Sequence, residues 1–128
     1  MEEKDDRKSV LLIEDEDNIA LALEFLMQRQ GYRVERIASG AGALEHVAAA
    51  RPDLVVSDVM LPEVSGYEIC QRIKAAPALS AIKVMILTAR GTEMERRKAL
   101  ALGADGFLSK PFDTGELLSQ VAGLLERA

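Results

Sequence analysis

Three short, largely apolar runs, each followed by a polar side chain, constrain the fold of this chain most strongly. They are residues 10–13, 54–57 and 84–87, which lead into Glu14, Asp58 and Thr88. A continuous run of this length is typical of a strand that is buried on both faces of a parallel sheet. In open parallel sheets, ligands bind beyond the carboxyl ends of the strands. Asp58 is therefore a candidate site residue, although taken alone it fits a solvated loop acid equally well.

Segments with apolar residues at helical spacing separate these runs. We expect five helices, over residues 18–30, 39–50, 65–75, 92–103 and 114–125. Ser65 with Glu68, and Thr92 with Glu95, have the spacing of capping boxes, which mark helix starts. Each predicted helix except the last therefore connects two strands.

Two further strands complete the alternation. Residues 34–37 mix apolar and charged side chains, which predicts an edge strand. Residues 107–110 form a last short strand that ends in Lys110. Five strands alternating with five helices imply right-handed βαβ units. The sequence therefore predicts a doubly wound α/β fold, a three-layer sandwich in which helices cover both faces of a parallel sheet.

Composition and charge narrow the class of protein. With 128 residues, 48% of them hydrophobic, the chain is the size of one domain; we expect a flexible leader over residues 1–8 and a folded domain over residues 9–128. The net charge of -5 disfavours direct nucleic-acid binding, because phosphates would be repelled. The apolar runs fall far short of the ~20 residues that a membrane helix needs. With one cysteine and no signal-peptide pattern, a cytoplasmic location is expected.

Polar side chains at four predicted strand ends should meet at one edge of the sheet. They are Glu14 with Asp15, Asp58, Thr88 and Lys110. Three carboxylates brought this close repel one another unless a cation neutralises them. Oxygen ligands without a nearby histidine or cysteine suit Mg²⁺, which also binds phosphate oxygens. The sequence therefore predicts a magnesium site at this edge.

Lys110 and Thr88 make the predicted chemistry more specific. A metal ion, an ammonium group and a hydroxyl around a carboxylate are what stabilise a transferring phosphoryl group. An aspartate can itself be the nucleophile and form an aspartyl-phosphate. The residues alone therefore indicate phosphoryl transfer onto Asp58.

The ordered set of these residues resembles the receiver domain of bacterial two-component response regulators. The resemblance comprises Glu14-Asp15, Asp58 with Pro62 and Gly66, Thr88-Ala89, and Lys110-Pro111-Phe112. It extends from about residue 9 to residue 125, nearly the whole chain. Each motif is weak alone, but the set in this order and spacing is specific. The resemblance implies a flavodoxin-like (βα)5 fold with strand order 2-1-3-4-5.

The resemblance also implies how the acceptor and the metal site are built. Asp58 would accept a phosphoryl group from a sensor histidine kinase or a histidine phosphotransfer protein. Asp15, Asp58 and the backbone carbonyl of Met60 would ligate Mg²⁺, and Glu14 would reach it through water. Such a domain is a phosphoacceptor with at most weak catalysis of its own phosphorylation and dephosphorylation, so we do not expect an enzyme.

Further residues would bind the phosphoryl group and respond to it. By resemblance, Thr88 and the backbone N–H of Ala89 would hold phosphoryl oxygens, and Lys110 would pair with their charge. The peptide bond between Lys110 and Pro111 would be cis, which proline makes accessible. Phe107 occupies the aromatic switch position and would turn inward when Thr88 moves.

The chain departs from the common pattern of the family at several positions. Glu14 stands where many members carry aspartate, and Phe107 where tyrosine is more frequent. Met60 and Arg90 occupy positions that tune the lifetime of the phosphoryl group in the family. We expect the bulky Met60 side chain to slow the attack of water on phosphorylated Asp58.

The expected output surface is the face made by the fourth helix, the last strand and the fifth helix. Receivers that feed winged-helix DNA-binding domains commonly form a dimer there through paired charges. Arg96 and Glu116 could join such a set, but Gly106 and Gln120 lack the charges it needs. We therefore favour a different partner protein or an output domain as what binds this surface, with a homodimer as the alternative.

Two other functions use a similar set of residues. A phosphatase of the haloacid dehalogenase type needs a second acid two residues after its nucleophile, where this chain has Met60. A flavodoxin-like FMN carrier needs a Ser/Thr/Gly-rich loop after the first strand, but residues 14–17 are all acidic and would repel its phosphate. Both alternatives are therefore disfavoured.

Overall fold

The structure, a computed structural model, describes residues 7–126 of the chain. Residues 1–6 of the predicted leader lie outside the described residues. The strands are β1 Ser9–Ile13, β2 Arg33–Ile37, β3 Leu54–Asp58, β4 Lys83–Thr88 and β5 Gly106–Ser109. The helices are α1 Asp17–Arg29, α2 Ala43–Ala50, α3 Gly66–Ala75, α4 Glu93–Ala101 and α5 Thr114–Glu126. Within residues 7–126, no helix has both the length and the apolar character needed to cross a membrane.

The five strands form one parallel sheet in the order β2-β1-β3-β4-β5. The predicted doubly wound α/β fold and the strand order implied by the resemblance are both confirmed. β2 pairs with one side of β1, and β3 pairs with the other. Such a change of direction opens a cleft beyond the carboxyl ends of β1 and β3. Asp58 is the last residue of β3, so it lies at this cleft.

Two hydrophobic layers, one on each face of the sheet, hold the helices in place. In β3, Leu54 and Val56 are buried in the layer shared with α1 and α5, whereas Val55 is buried in the layer shared with α2, α3 and α4. Successive side chains of a strand point to opposite faces, so an uninterrupted apolar run fills both layers. All five residues of β3 are buried, and the strand therefore gives Asp58 a rigid support.

The predicted helix starts are confirmed for α3 and α4. Ser65 Oγ accepts a hydrogen bond from the backbone N–H of Glu68 at 3.2 Å, and Thr92 Oγ1 accepts one from that of Glu95 at 3.1 Å. These bonds satisfy backbone donors that the first turn of a helix leaves unpaired.

The predicted start of α2 at Ser39 is wrong, because the helix begins at Ala43. Residues 39–42 form a turn in which Ser39 Oγ accepts a hydrogen bond from Ala41 N at 3.0 Å. Gly42 then adopts a φ of 71°. This left-handed conformation cannot belong to a right-handed helix, so α2 starts at the next residue.

Candidate functional site

Four of the residues singled out from the sequence lie together at the carboxyl edge of the sheet. Asp58 and Thr88 end β3 and β4, Glu14 follows β1 directly, and Lys110 follows β5 directly. In the strand register Asp58 lies beside Leu87, so the ends of these strands are level. The chain thus delivers two carboxylates, a hydroxyl and an ammonium group to one cleft.

Lys110 bridges the two buried carboxylates. Its Nζ atom lies 2.8 Å from Glu14 Oε1 and 2.9 Å from Asp58 Oδ2. Its backbone N–H donates to the carbonyl oxygen of Thr88 at 2.7 Å, which fixes the start of the loop after β5. The following peptide bond, between Lys110 and Pro111, is cis.

Burial and charge pairing act in opposite directions on these groups. Glu14 is fully buried, and its burial raises the pKa of the carboxyl group, although hydrogen bonds from Lys110 and from the backbone of Glu16 oppose this. Burial lowers the pKa of Lys110, but its hydrogen bonds to Glu14 and Asp58 and their charges outweigh burial, so the pKa lies above its ordinary value. Lys110 is therefore a permanent cation in this cleft.

Three carboxylates could share a cation beside Lys110. Glu14, Asp15 and Asp58 each offer one carboxylate oxygen, and these oxygens all lie within 4.8 Å of one another. Glu14 and Asp58 are buried, whereas Asp15 is exposed, so the group opens to solvent on the side of Asp15. An all-oxygen set that opens to solvent suits Mg²⁺, which keeps several waters. The residues present therefore fit the predicted metal.

The loop after β3 is built closely around Asp58. The backbone N–H of Met60 donates to Asp58 Oδ1 at 3.2 Å, and Met60 is 63% exposed. A Cβ atom on Gly66 would lie 2.1 Å from the backbone oxygen of Asp58, so only glycine fits there. The Met60 backbone is thus held beside the Asp58 carboxylate, and the residue is exposed.

The remaining predicted residues lie around the ends of β4 and β5. Thr88 is buried, and its Oγ1 accepts a hydrogen bond from Arg90 N at 3.0 Å. Ala89 is exposed beside it. Phe107, in β5, is half-buried and packs against the core layer on the side of α2, α3 and α4. Thr88 and Phe107 thus lie on neighbouring strands, as a coupled switch would require.

Two contributors to the site were missed by the sequence reasoning. Ser57 Oγ donates to the backbone oxygen of Asp58 at 2.9 Å, and a serine inside a buried strand was a signal that could have been used. Arg36 Nε donates to the backbone oxygen of Glu14 at 2.9 Å. Arg36 carried no such signal, since charged residues are ordinary on an edge strand.

Comparison with known protein families assigns the chain to one of them. The family model described as the response regulator receiver domain matches residues 10–122. The chain belongs to this family. The match gives no support to the phosphatase alternative, and it identifies the domain as a signalling module of two-component systems.

The receiver domain is similar to transcriptional regulators. It is 39% identical over 119 residues to the phosphate regulon transcriptional regulatory protein PhoB of Rhizobium meliloti, covering 93% of this chain and 52% of that protein. The chain therefore spans about half the length of the curated relatives it matches.

Solved structures agree with the fold. A putative response regulator from Chloroflexus aurantiacus superposes with a TM-score of 0.89 at 33% identity, covering 94% of this chain and 98% of that one. The receiver domain of a sensor histidine kinase from Pseudomonas aeruginosa gives a TM-score of 0.84 at 28% identity, with the same coverage. That structure is described with a magnesium ion coordinated in its active site cleft.

Proposed function

We propose that this receiver domain is switched by phosphorylation of Asp58, with the phosphoryl group taken from the phosphohistidine of a sensor histidine kinase or a phosphotransfer protein. The observation that carries the proposal is the position of Lys110 Nζ, 2.9 Å from Asp58 Oδ2 and 2.8 Å from Glu14 Oε1. An ammonium group held there can balance the charge of a phosphoryl group arriving at Asp58.

The transfer exchanges one bond to phosphorus for another. A carboxylate oxygen of Asp58 forms the new bond, while the bond from phosphorus to the donor's imidazole nitrogen breaks and leaves its electron pair on that nitrogen. Lys110 then pairs with the charge that arrives on the phosphoryl oxygens. The Thr88 hydroxyl and the backbone N–H of Ala89 are the donors proposed for those oxygens. Positioning and charge neutralisation supply most of what such a transfer needs.

The acidic group is the proposed place for Mg²⁺. Asp15, Asp58 and the backbone carbonyl of Met60 would hold the ion, with Glu14 reaching it through water. When bound, Mg²⁺ neutralises the carboxylates and polarises the phosphoryl oxygens. The magnesium-containing cleft of the Pseudomonas aeruginosa receiver domain supports this assignment.

The proposed output surface is the face made by α4, β5 and α5, and Phe107 is the proposed link to the site. Phe107 packs beneath this face and lines a cavity of about 240 Å³ together with Arg96 and Glu116. Movement of Thr88 toward a phosphoryl group would open space for the ring. The chain spans about half the length of its relatives. The proposed binding partner of this surface is therefore an output domain or a partner protein, and a second copy of the chain is the alternative.

Acetyl phosphate with Mg²⁺ tests the proposal without the unknown kinase. We expect the intact protein to gain one phosphoryl group through a linkage that survives acid and is lost in base. Asp58→Asn should not gain it, whereas the matched variant Asp53→Asn, at the residue just before the start of β3, should. Continuous release of phosphate with no labelled protein would indicate a phosphatase instead, and no labelling at all would contradict an acceptor.

A further inference from the structure

Arg36 contacts both ends of the acidic turn, residues 14–17, in which four consecutive side chains are carboxylates. From β2, its Nε atom donates to the backbone oxygen of Glu14 at 2.9 Å. Its second guanidinium nitrogen, Nη2, lies 2.9 Å from Asp17 Oδ1. Asp15, a proposed metal ligand, lies between these two points. One side chain thus spans the segment that carries Asp15.

The two contacts of Arg36 differ in how much they contribute to holding the turn. The Asp17 side chain is 88% exposed, so this ion pair alone contributes little. The bond to the Glu14 carbonyl is part-buried, and the Arg36 side chain is only 22% exposed. The Glu14 N–H also donates to the backbone oxygen of Ile37 at 3.1 Å, so β2 holds the start of the turn twice. The planar guanidinium group fixes the direction of both bonds at once.

We propose that Arg36 is a positioning residue that holds the acidic turn so that Glu14 and Asp15 meet Mg²⁺ together with Asp58. This rests on the proposed function, because it concerns the metal of the same site. Groups that orient metal ligands typically change metal affinity by about 10–100-fold when they are removed. Arg36 contacts the backbone oxygen of Glu14 and the carboxylate of Asp17. It would therefore affect the ion only through the position of the turn.

The direction in which Mg²⁺ affinity changes when Arg36 is replaced distinguishes a positioning role from a purely electrostatic one. Arg36 is a cation near an acidic site, so removing its charge alone would strengthen the attraction for Mg²⁺. Loss of positioning has the opposite effect and weakens binding. Lysine keeps the charge but offers one nitrogen, which cannot serve the carbonyl of Glu14 and the carboxylate of Asp17 in the same fixed geometry.

The test is a titration of the whole chain with MgCl2, followed by the amide resonances of residues 15 and 58. We expect Arg36→Ala and Arg36→Lys both to raise the Kd for Mg²⁺, by about tenfold for the alanine variant. Arg29→Ala, which removes the same charge from the far end of α1, should leave the Kd unchanged. At saturating Mg²⁺ the rate of phosphorylation by acetyl phosphate should recover in both Arg36 variants, because the fold and Asp58 are intact even though the lost hydrogen bond lowers the unfolding midpoint in EDTA.

Two results would overturn the inference, and they differ in what else they affect. If the wild type binds Mg²⁺ and both Arg36 variants bind it equally or more tightly, Arg36 does not position the turn, while the proposed function stands. If the wild type shows no saturable response to Mg²⁺, the proposed metal site falls and the role of Arg36 falls with it.

Discussion

Lys110 Nζ lies 2.9 Å from Asp58 Oδ2, although 52 residues separate the two in the chain. The side chains are 15% and 10% exposed, so the pair is largely shielded from solvent. Removing one partner from such a pair leaves the other charge without compensation in a poorly solvated place. The pair is therefore expected to stabilise the domain, in addition to its part in the proposed phosphoryl transfer.

Lys110→Met should lower the free energy of unfolding by about 3 kcal/mol in EDTA, since both Glu14 and Asp58 lose their cation. Mg²⁺ should restore part of this loss, because it can neutralise the same carboxylates. Urea denaturation with and without Mg²⁺ measures both effects. Lys74→Met is the control: Lys74 pairs with Asp105 at 2.7 Å outside the site, so its loss of stability relative to the wild type should be the same with and without Mg²⁺. A loss in Lys110→Met that Mg²⁺ does not reduce relative to the wild type would contradict the metal assignment.

Met60→Asn should shorten the lifetime of the phosphorylated protein. Met60 is exposed, its backbone N–H contacts Asp58, and its side chain is apolar, whereas an amide can orient an attacking water. We expect the dephosphorylation rate to rise roughly tenfold, which corresponds to a barrier lower by about 1.4 kcal/mol. Loss of the label after removal of acetyl phosphate gives the rate. Met94→Asn, an exposed methionine on α4, is the control, and an unchanged rate in Met60→Asn would disprove the shielding role.

Tyr67→Phe should loosen the attachment of α4 to α3. The Tyr67 hydroxyl donates a hydrogen bond to Glu95 Oε2, and Lys98 Nζ lies 4.7 Å from the centre of the Tyr67 ring. Loss of the hydroxyl should cost about 1 kcal/mol in the free energy of unfolding, with faster amide exchange in α4. Tyr32→Phe removes a hydroxyl that makes no hydrogen bond within residues 7–126, so it should cost less. Similar losses in the two variants would mean that the bond to Glu95 contributes nothing.

Alkaline pH should destabilise the domain partly through Cys70. Burial raises the pKa of the Cys70 thiol from its ordinary value of 9.0 to about 11. The unfolded chain therefore loses this proton first, so the stability is intact below pH 9.0 and falls as the pH rises toward about 11. Urea denaturation across this range should show a smaller fall for Cys70→Ala than for the wild type. The loss of stability should not disappear in Cys70→Ala, because burial also raises the pKa of Tyr67 to about 12. Parallel curves for the two proteins would rule out this cause.

The architecture could be predicted because its signals are local. The apolar runs before Glu14, Asp58 and Thr88 are buried strands in the structure, and parallel pairing then brings their carboxyl ends together. The start of α2 was missed because the decisive feature is the left-handed conformation of Gly42, and glycine adopts left- and right-handed conformations with similar ease.

The parts of the site that depend on tertiary contacts could not be predicted. Arg36 lies on an edge strand, where a charged side chain has no preferred partner in the sequence, and its contact with Glu14 exists only because β2 pairs with β1. Likewise, no pattern in the sequence indicates that Lys110 contacts Glu14 and Asp58 at the same time. The strand pattern therefore predicts which residues meet at the edge of the sheet, whereas their individual contacts depend on tertiary packing.

Chemical location of the phosphoryl group tests directly whether Asp58 is the acceptor. After labelling with acetyl phosphate and Mg²⁺, borohydride reduces an aspartyl-phosphate to homoserine, and peptide mass spectrometry identifies the converted residue. We expect homoserine at position 58, dependent on Mg²⁺. Conversion at another aspartate, or none at position 58 in a protein that carries the label, would contradict it.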